Sequence, residues 1–438
     1  MARSRATRPL DIFLNGKRVG QLRREPGGAI DFKYADEWLG WNNAIPVSLS
    51  LPLSERRYVG APVVAFFDNL LPDDEDVRRR VAERARAHGT DSYSLLGAIG
   101  RDCVGALQFL PEGEAAAPPD RLDARRISDA DIAELLGNLA RNPLGIDEAG
   151  DLRISLAGVQ EKTALLFWKK HWHVPHGSTP TTHILKPQIG ALPNGLDLSD
   201  SVENEHFCLR LMEAFDLPVA QSQIVDFAGR RTLVVERFDR LWTRDRRLLR
   251  VPQEDCCQAL SVPPSLKYEQ SGGPGMVAIA RLLKASDTPE ADLRRFFTTQ
   301  VLFWLIAATD GHAKNFSIRL APGGRFALAP IYDVLSVQPN FDAGQLRRTQ
   351  MKLAMAVGSS RHYRLDEITP RHFLQTAGLC DIPQATATAV LDEIAQTAEA
   401  AFDHAQSSMP KGFPERLAAS IVNGAKGRLR AFGQGKYR

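Results

Sequence analysis

The sequence predicts an α+β fold in which a strand-rich segment precedes a helix-rich one. Three observations carry this. Between residues 154 and 236, short β-branched or apolar runs alternate with turns: Ile154-Ser155, 163–168, 172–174, 182–185, 223–227 and 232–236. Beyond about residue 240 the pattern turns helical, over 276–284, 290–309, 384–404 and 414–432, interrupted by one pair of short strands near 316–319 and 325–328. The 438 residues exceed what one ordinary core serves, so two or three packed units are expected.

The elements follow in order. Residues 10–14 and 19–22 flank Asn15-Gly16, a favoured two-residue hairpin turn. A helix over 61–71 is stopped by Pro72, and Asp73 to Asp76 supply the acids that suit the start of the next helix. The Pro-, Ala- and Glu-rich stretch 111–120 is the clearest linker and sets the first boundary. The expected divisions are 1–112, 120–236 and 237–438. Ser128 to Asp131 reads as a capping box before a helix over 132–139. A helix over 201–215 places Cys208, Leu211, Met212 and Phe215 on one face.

Composition excludes several classes. No stretch approaches the roughly 20 apolar residues that span a bilayer, and the basic N-terminus is followed by no apolar segment, so a cytoplasmic protein without a signal peptide or membrane contact is expected. The five cysteines are scattered without zinc-ligand spacing and read as reduced, buried thiols. Net charge is only +3, but Arg3, Arg5, Arg8, Lys426, Arg428, Arg430, Lys436 and Arg438 crowd the two ends. They suit solubilising ends or a phosphate-facing patch in a DNA-bound assembly.

Five features could carry chemistry. The apolar run 301–308 requires a deeply buried helix, and it delivers Asp310-Gly311-His312-Ala313-Lys314-Asn315 at its end. An acid with an amide five residues on is the Asp-x-x-x-x-Asn spacing of a phosphoryl-transfer loop, where one group orients the hydroxyl and the other holds a metal ion. A helix-ending turn fits the same residues. Asp333, flanked by Ile331, Tyr332 and Val334, lies where a second metal-binding carboxylate would follow; a strand-end Asp is the plainer reading. The segment Ser155 to Thr163 is a turn that could offer N–H groups to phosphates, although its single Gly158 makes it neither a Walker A nor a G-x-G-x-x-G loop. Lys186 closes an apolar strand, where an ammonium needs a partner such as a phosphate, Glu203 or Glu205, or else reaches solvent. The run 234–240 stands between the strand-rich and helix-rich parts, the position of an adenine-pairing hinge strand. Turn, lysine strand, acidic helix, hinge, Asp-x-x-x-x-Asn and second Asp occur in the order a kinase needs.

Longer strings carry a family resemblance from about residue 10 to 432. FFDNLLPD at 66–73, IGRDCVGAL at 99–107, ISLAGVQEKTALL at 154–166, TPTTHILK at 179–186, VENEHFCL, VVERFDR, VPQEDCCQ, LIAATDGHAKNFS and FPERL together resemble the HipA family of toxin kinases. The resemblance implies a bilobal protein-kinase-like fold, related to phosphoinositide-kinase-like folds, with a small N-terminal β/α subdomain and a mainly helical C-terminal lobe. It implies Asp310 as catalytic aspartate, with Asn315 and Asp333 holding Mg²⁺. Implied ATP contacts are Ala157, Gly158, Val159, Gln160, Glu161 and Lys162 over the phosphates, Lys186 on the phosphates, and Glu236, Arg237 and Phe238 at adenine. His312, Ala313 and Lys314, with Tyr332, Val334 and Leu335, complete the implied set. Ser155 matches the serine that family members autophosphorylate, which ejects the phosphate loop and shuts the kinase off. Implied partners are a helix-turn-helix antitoxin of HipB type, operator DNA through that antitoxin, and a protein substrate of which glutamyl-tRNA synthetase is one family example. A non-catalytic co-repressor bracing an antitoxin is the rival reading; intact Asp310, Asn315, Asp333 and Lys186 argue against it, since a scaffold has no need of buried charge.

Overall fold

The computed structural model describes residues 8–118, 120–146, 153–158 and 160–432; Arg3, Arg5, Val159, Lys436 and Arg438 lie outside the described residues. The chain divides into two compact units, one of residues 1–187, 225–265 and 318–326, the other of 188–224, 266–317 and 327–438. No helix among the described residues is long and apolar enough to cross a membrane.

In the first unit, Asn15 and Gly16 adopt φ of 48° and 83°. That left-handed pair matches the twist of the strands it joins, and the predicted hairpin forms as Leu10–Leu14 against Lys17–Arg24. It belongs to a five-stranded antiparallel sheet ordered Tyr58–Val59, Ile30–Tyr34, Lys17–Arg24, Leu10–Leu14, Leu107–Pro111. Helices Ala61–Asp68 and Glu75–Arg84 flank the predicted break at Pro72, and Asp74 caps the second by accepting from the Val77 N–H at 2.9 Å. A six-stranded sheet follows, ordered Ser222–Phe227, Arg230–Glu236, His183–Pro187, Thr163–Trp168, His171–Pro175, Ala124–Arg126. The predicted capping box of Ser128 and Asp131 opens helix Asp129–Gly137. One buried cluster joins Ile12, Phe32, Phe67 and Phe109 to Ile132, Leu136, Leu165, Leu185 and Val234. Residues on both sides of the 111–120 connection therefore share a single core.

A buried ionic cluster ties this unit together. The Asp102 carboxylate accepts from Arg240 at 2.8 Å, from the Arg250 Nε at 3.1 Å, and from the Thr181 N–H and hydroxyl at 3.0 and 2.7 Å. Arg237 reaches the same carboxylate at 3.3 Å and doubles onto Asp239 at 2.9 and 2.8 Å. Asp239 also takes the Gly105 N–H at 2.7 Å. Burial alone would raise the Asp102 carboxyl, but Arg240, Arg250 and Arg237 outweigh it and hold it well below the usual range.

Glu254 is the opposite case. Fully buried, it accepts the Leu49 N–H at 2.8 Å, but burial outweighs that bond and pushes its carboxyl up to about 8. The folded chain then keeps a proton that the unfolded chain releases near pH ~4.3. Stability is therefore expected to fall as pH rises from about 4.3 to 8, by on the order of a few kcal/mol. In Glu254→Gln this dependence should vanish. The check is the difference in urea midpoint between variant and wild type at pH 5 to 8, which should widen in the variant's favour as pH rises.

The second unit is built on helices Ser201–Ala214, Met276–Leu283, Pro289–Ile306, Pro370–Leu379, Gln384–Ser407 and Glu415–Leu429. Several expectations are corrected. Ile154-Ser155 is no strand but a single bridge to Asp102, and the Ser155 to Thr163 segment is not a two-strand hairpin turn, since Gly158 bridges Pro72 instead. The part beyond residue 240 is less helical than predicted: Arg240–Trp242, Leu248–Arg250, Gln253–Asp255, Lys352–Val357 and His362–Arg364 are strands. The first three are too short for periodicity to register, and Leu353, Ala354, Met355 and Ala356 have helical preferences that burial overrides. The predicted strand pair at 316–319 and 325–328 is Ser317–Leu320 and Phe326–Leu328. Helix Ser201–Ala214 buries far more than one face, Glu203, Asn204, Glu205 and His206 included. All five cysteines are buried thiols.

Candidate active site

The second unit assembles its site on the end of Pro289–Ile306. Residues 301 to 308 are at most 3% exposed, so this helix is a fixed support. It stops at Ile306 rather than 309, because Ala307 turns left-handed at φ 56° and the Ala308 N–H closes onto the Phe303 carbonyl at 2.8 Å. The carbonyls left over at the helix end recruit a distant segment. Ile306 O accepts from the Ser336 hydroxyl at 2.5 Å and Ala307 O from the Val337 N–H at 2.9 Å. The Asn204 side-chain amide grips Ser336 from both sides, each bond 2.8 Å.

The Asp310 loop is held as tightly. The Asn315 side-chain N–H donates to the Asp310 carbonyl at 2.8 Å, turning its Oδ1 outward from that bond as an acceptor. Asn315 N–H and His312 N–H bond back to His312 and Asp310 carbonyls at 2.9 and 2.8 Å. His312, Ala313, Lys314 and Asn315 are buried, while the Asp310 carboxylate is 63% exposed. One of its oxygens accepts from the Tyr268 hydroxyl at 2.5 Å, and His312 Nε2 stands 4.0 Å from the other. The Tyr268 and His312 rings meet edge to face at 4.9 Å. The Tyr332 hydroxyl contacts Lys314 O at 2.7 Å and Ser317 Oγ at 2.6 Å, so the residues beside Asp333 and Asn315 lie together. Asp333 itself is no strand end: it sits at φ 59°, a conformation costing a non-glycine residue on the order of 1 kcal/mol or more and concentrated at functional sites.

Gly311 has no room for a side chain, since a Cβ there would lie 2.4 Å from the Phe303 ring. Gly311→Ala is expected to shift the loop, costing about 1–3 kcal/mol by overpacking. A lowered thermal midpoint checks this.

The first unit holds the remaining predicted residues. Lys186 lies within strand His183–Pro187, opposite Leu233, and is 7% exposed, so it does not reach solvent past the strand end. Gln160 reaches the Pro187 carbonyl at 3.4 Å, which sets Gln160 beside that strand. Lys162 is 9% exposed, and its Nζ stands 2.7 Å from where a Gly158 Cβ would fall, with Gly158 at φ +101°. Only glycine permits that approach. Glu236 pairs with His183, and Arg237 N–H donates to Thr182 O at 2.9 Å. The Arg237 side chain is committed to Asp239 and Asp102, and its carbonyl accepts the Arg240 N–H at 3.1 Å. Ser155 is fully buried, its hydroxyl donating to Leu70 O at 2.6 Å. Thus Asp310, 312–315 and 332–335 gather in one unit, and Ser155, 157–158, 160–162, Lys186 and 236–238 in the other.

Sequence reasoning missed Tyr268, Asn204 and Ser336, and the Asp102 cluster. Charged Asp102, Arg237, Asp239 and Arg240 inside otherwise apolar strings were a usable signal. Tyr268, 42 positions from Asp310, leaves no local trace.

A two-sheet unit bearing a buried lysine strand, with an Asp-x-x-x-x-Asn loop and a second Asp on a helical unit, defines an α+β protein of kinase-like fold. A family model described as HipA-like C-terminal domain matches residues 154–402, and one described as HipA N-terminal domain matches 10–110. The chain belongs to the HipA family. A putative kinase, Y4mE, of Sinorhizobium fredii is 36% identical over 356 residues, covering 80% of this chain and 81% of its own. The serine/threonine-protein kinase toxin HipA of Shewanella oneidensis is 29% identical over 364 residues, covering 80% and 79%. The solved complex of Shewanella oneidensis HipA, HipB and operator DNA aligns at a TM-score of 0.80 and 25% identity over 97% of both chains.

Proposed function

We propose that this protein is an ATP- and Mg²⁺-dependent serine/threonine protein kinase, the toxin of a HipBA-type toxin–antitoxin pair. The observation that carries the reading is the convergence of Asp310, Asn315 and Asp333 around one buried helix end, with hydrogen bonds fixing each loop. The donor sets suit the groups required. Asn315 Oδ1 and the Asp333 carboxylate are the hard oxygen ligands that Mg²⁺ prefers. Buried Lys162 and Lys186, and the glycine-only approach at 158, suit phosphate oxygens. The metal would neutralise charge developing on the transferred phosphoryl group.

In this reading Asp310 orients the acceptor hydroxyl and takes its proton. Tyr268 donates to one carboxylate oxygen and so presents the other to the acceptor. Asn315 holds the Asp310 main chain while offering its oxygen to the metal. Glu236, Arg237 and Phe238 meet adenine through main-chain groups, and the 157–162 loop covers the phosphates. Ser155 is the autophosphorylation site. The three-part division 1–112, 120–236 and 237–438, with the last carrying the catalytic loop, belongs to the same proposal.

A cytoplasmic protein is inferred, bound by a HipB-like helix-turn-helix antitoxin and through it to operator DNA; support comes from the likeness to the Shewanella oneidensis complex. Glutamyl-tRNA synthetase is the first substrate to try. The test is transfer from γ-labelled ATP to a protein serine, with Mg²⁺ and with chelator, for wild type and Lys186→Met. Transfer that needs Mg²⁺ and falls at least tenfold in the variant supports the kinase. Wild-type protein that binds antitoxin but neither binds nor consumes ATP would overturn it in favour of a co-repressor.

A further inference from the structure

Ser155 is held shut by a segment that the kinase reading leaves without a role. Residues 153–158 are gripped on two sides within the first unit. On one, Ile154 bridges Asp102: the Ser155 N–H donates to Asp102 O at 3.0 Å and the Asp102 N–H to Arg153 O at 3.2 Å. On the other, Gly158 bridges Pro72 while the Ser155 hydroxyl donates to Leu70 O at 2.6 Å. The 70–72 stretch is a connection between two helices, without ladder partners of its own beyond that bridge. Something must keep it rigid.

That something is the Arg78 side chain. Its Nε donates to Pro72 O at 2.6 Å, one terminal nitrogen to the Asp68 carboxylate at 2.6 Å, and the other to Asp68 O at 3.2 Å. One planar fork thus spans residues 68 to 72. The fork is 12% exposed, so water competes weakly for it. Helix Glu75–Arg84 fixes its base, with the Arg78 N–H on the Asp74 carbonyl at 3.0 Å. From the far side, the Asn69 amide anchors the same stretch to Val262 O at 2.8 Å.

We propose that Arg78 is a positioning residue for the phosphate loop, pinning residues 68–72 so that Ser155 and Gly158 stay closed and Ser155 stays out of reach of phosphorylation. A hydroxyl with no exposure and a committed proton cannot attack phosphorus. Phosphorylation forms an Oγ–P bond, breaks the bond from the γ-phosphorus to the departing ADP oxygen, and sends the hydroxyl proton to a carboxylate base. It therefore proceeds from a minor opened form, and its rate scales with that form's population. The Ser155 half of this inference rests on the kinase reading; the pinning half does not.

Two measurements separate them. First, hydrogen exchange without nucleotide is followed in peptides covering 153–158 and 163–168 for wild type, Arg78→Ala and Arg79→Ala. Arg79 is the control: its side chain is 62% exposed and pairs with the neighbouring Asp76. Loss of a charge-assisted fork predicts exchange about tenfold faster over 153–158 in Arg78→Ala alone, with 163–168 unchanged. Equal rates in 153–158, or equal acceleration of both peptides, overturns the pinning role. Second, the initial rate of phosphate incorporation on Ser155 should rise several-fold in Arg78→Ala, whereas simple damage to the fold would lower it. An unchanged or lowered rate overturns the gating of Ser155. Absence of label in every protein, wild type included, refutes the kinase reading and Ser155 gating together and leaves the exchange result to decide Arg78.

Discussion

Asp102→Ala is expected to lower the unfolding free energy by about 3–5 kcal/mol at neutral pH. Asp102 is in direct contact with all three of Arg237, Arg240 and Arg250. Every one of these side chains is at most 4% exposed. Removing the carboxylate leaves Asp239 alone against three buried guanidinium groups, and the charge left over cannot be hydrated without opening the core. The Thr181 N–H and hydroxyl lose their acceptor as well. Urea unfolding checks the size. Because the folded carboxyl titrates well below the usual range, its contribution is fully present above the unfolded value of roughly 3.9 and is lost as pH falls beneath it. The gap between wild type and Asp102→Asn should stay level from pH 7 to about 4 and shrink only below that. A gap that narrows already at pH 6 would mean that some other group carries the effect.

Asn315→Ala should cost little stability and most of the activity. The side chain does two things: it holds the Asp310 carbonyl at 2.8 Å, and in the proposed mechanism it lends an oxygen to Mg²⁺. Loss of one metal ligand and of the loop brace together is expected to lower kcat by about a hundredfold or more, several kcal/mol of transition-state stabilisation. The Mg²⁺ concentration for half-maximal rate should rise with it. Steady-state kinetics over a Mg²⁺ series checks both. Thermal unfolding should move by no more than a few degrees, since the loop is supported independently by the His312 and Asp310 carbonyl bonds.

Much of this is legible in the amino-acid sequence. The Asn15-Gly16 turn, the Ser128–Asp131 capping box and the long helices are local facts, and they form where the sequence places them to within a few residues at their ends. The burial of 301–308 was legible because a run so apolar has to be buried, whereas the Asp310 run read locally fitted a helix-ending turn as well, and its catalytic reading came from the family resemblance. What stayed hidden is what tertiary context imposes. Ile154-Ser155 reads as a strand and Ser155 to Thr163 as a turn between strands, but Ile154 and Gly158 find their partners in Asp102 and Pro72, far away in sequence. Strands of three residues between 240 and 255 carry no period to detect. Tyr268 and Asn204 act through single side-chain bonds to Asp310 and Ser336, which no spacing rule encodes. The left-handed Asp333 was the least predictable, because no glycine marks the position.

The central claim is that Asp310 acts in phosphoryl transfer from ATP. Wild-type protein shown by mass to be unmodified, incubated with γ-labelled ATP and Mg²⁺ beside Asp310→Ala, tests it most directly. The account predicts label on Ser155 in the wild type and a loss of about 10²–10⁴-fold in the variant, both proteins giving the same unfolding midpoint within a few degrees. Equal labelling of the two, or no labelling of unmodified wild type, would contradict it.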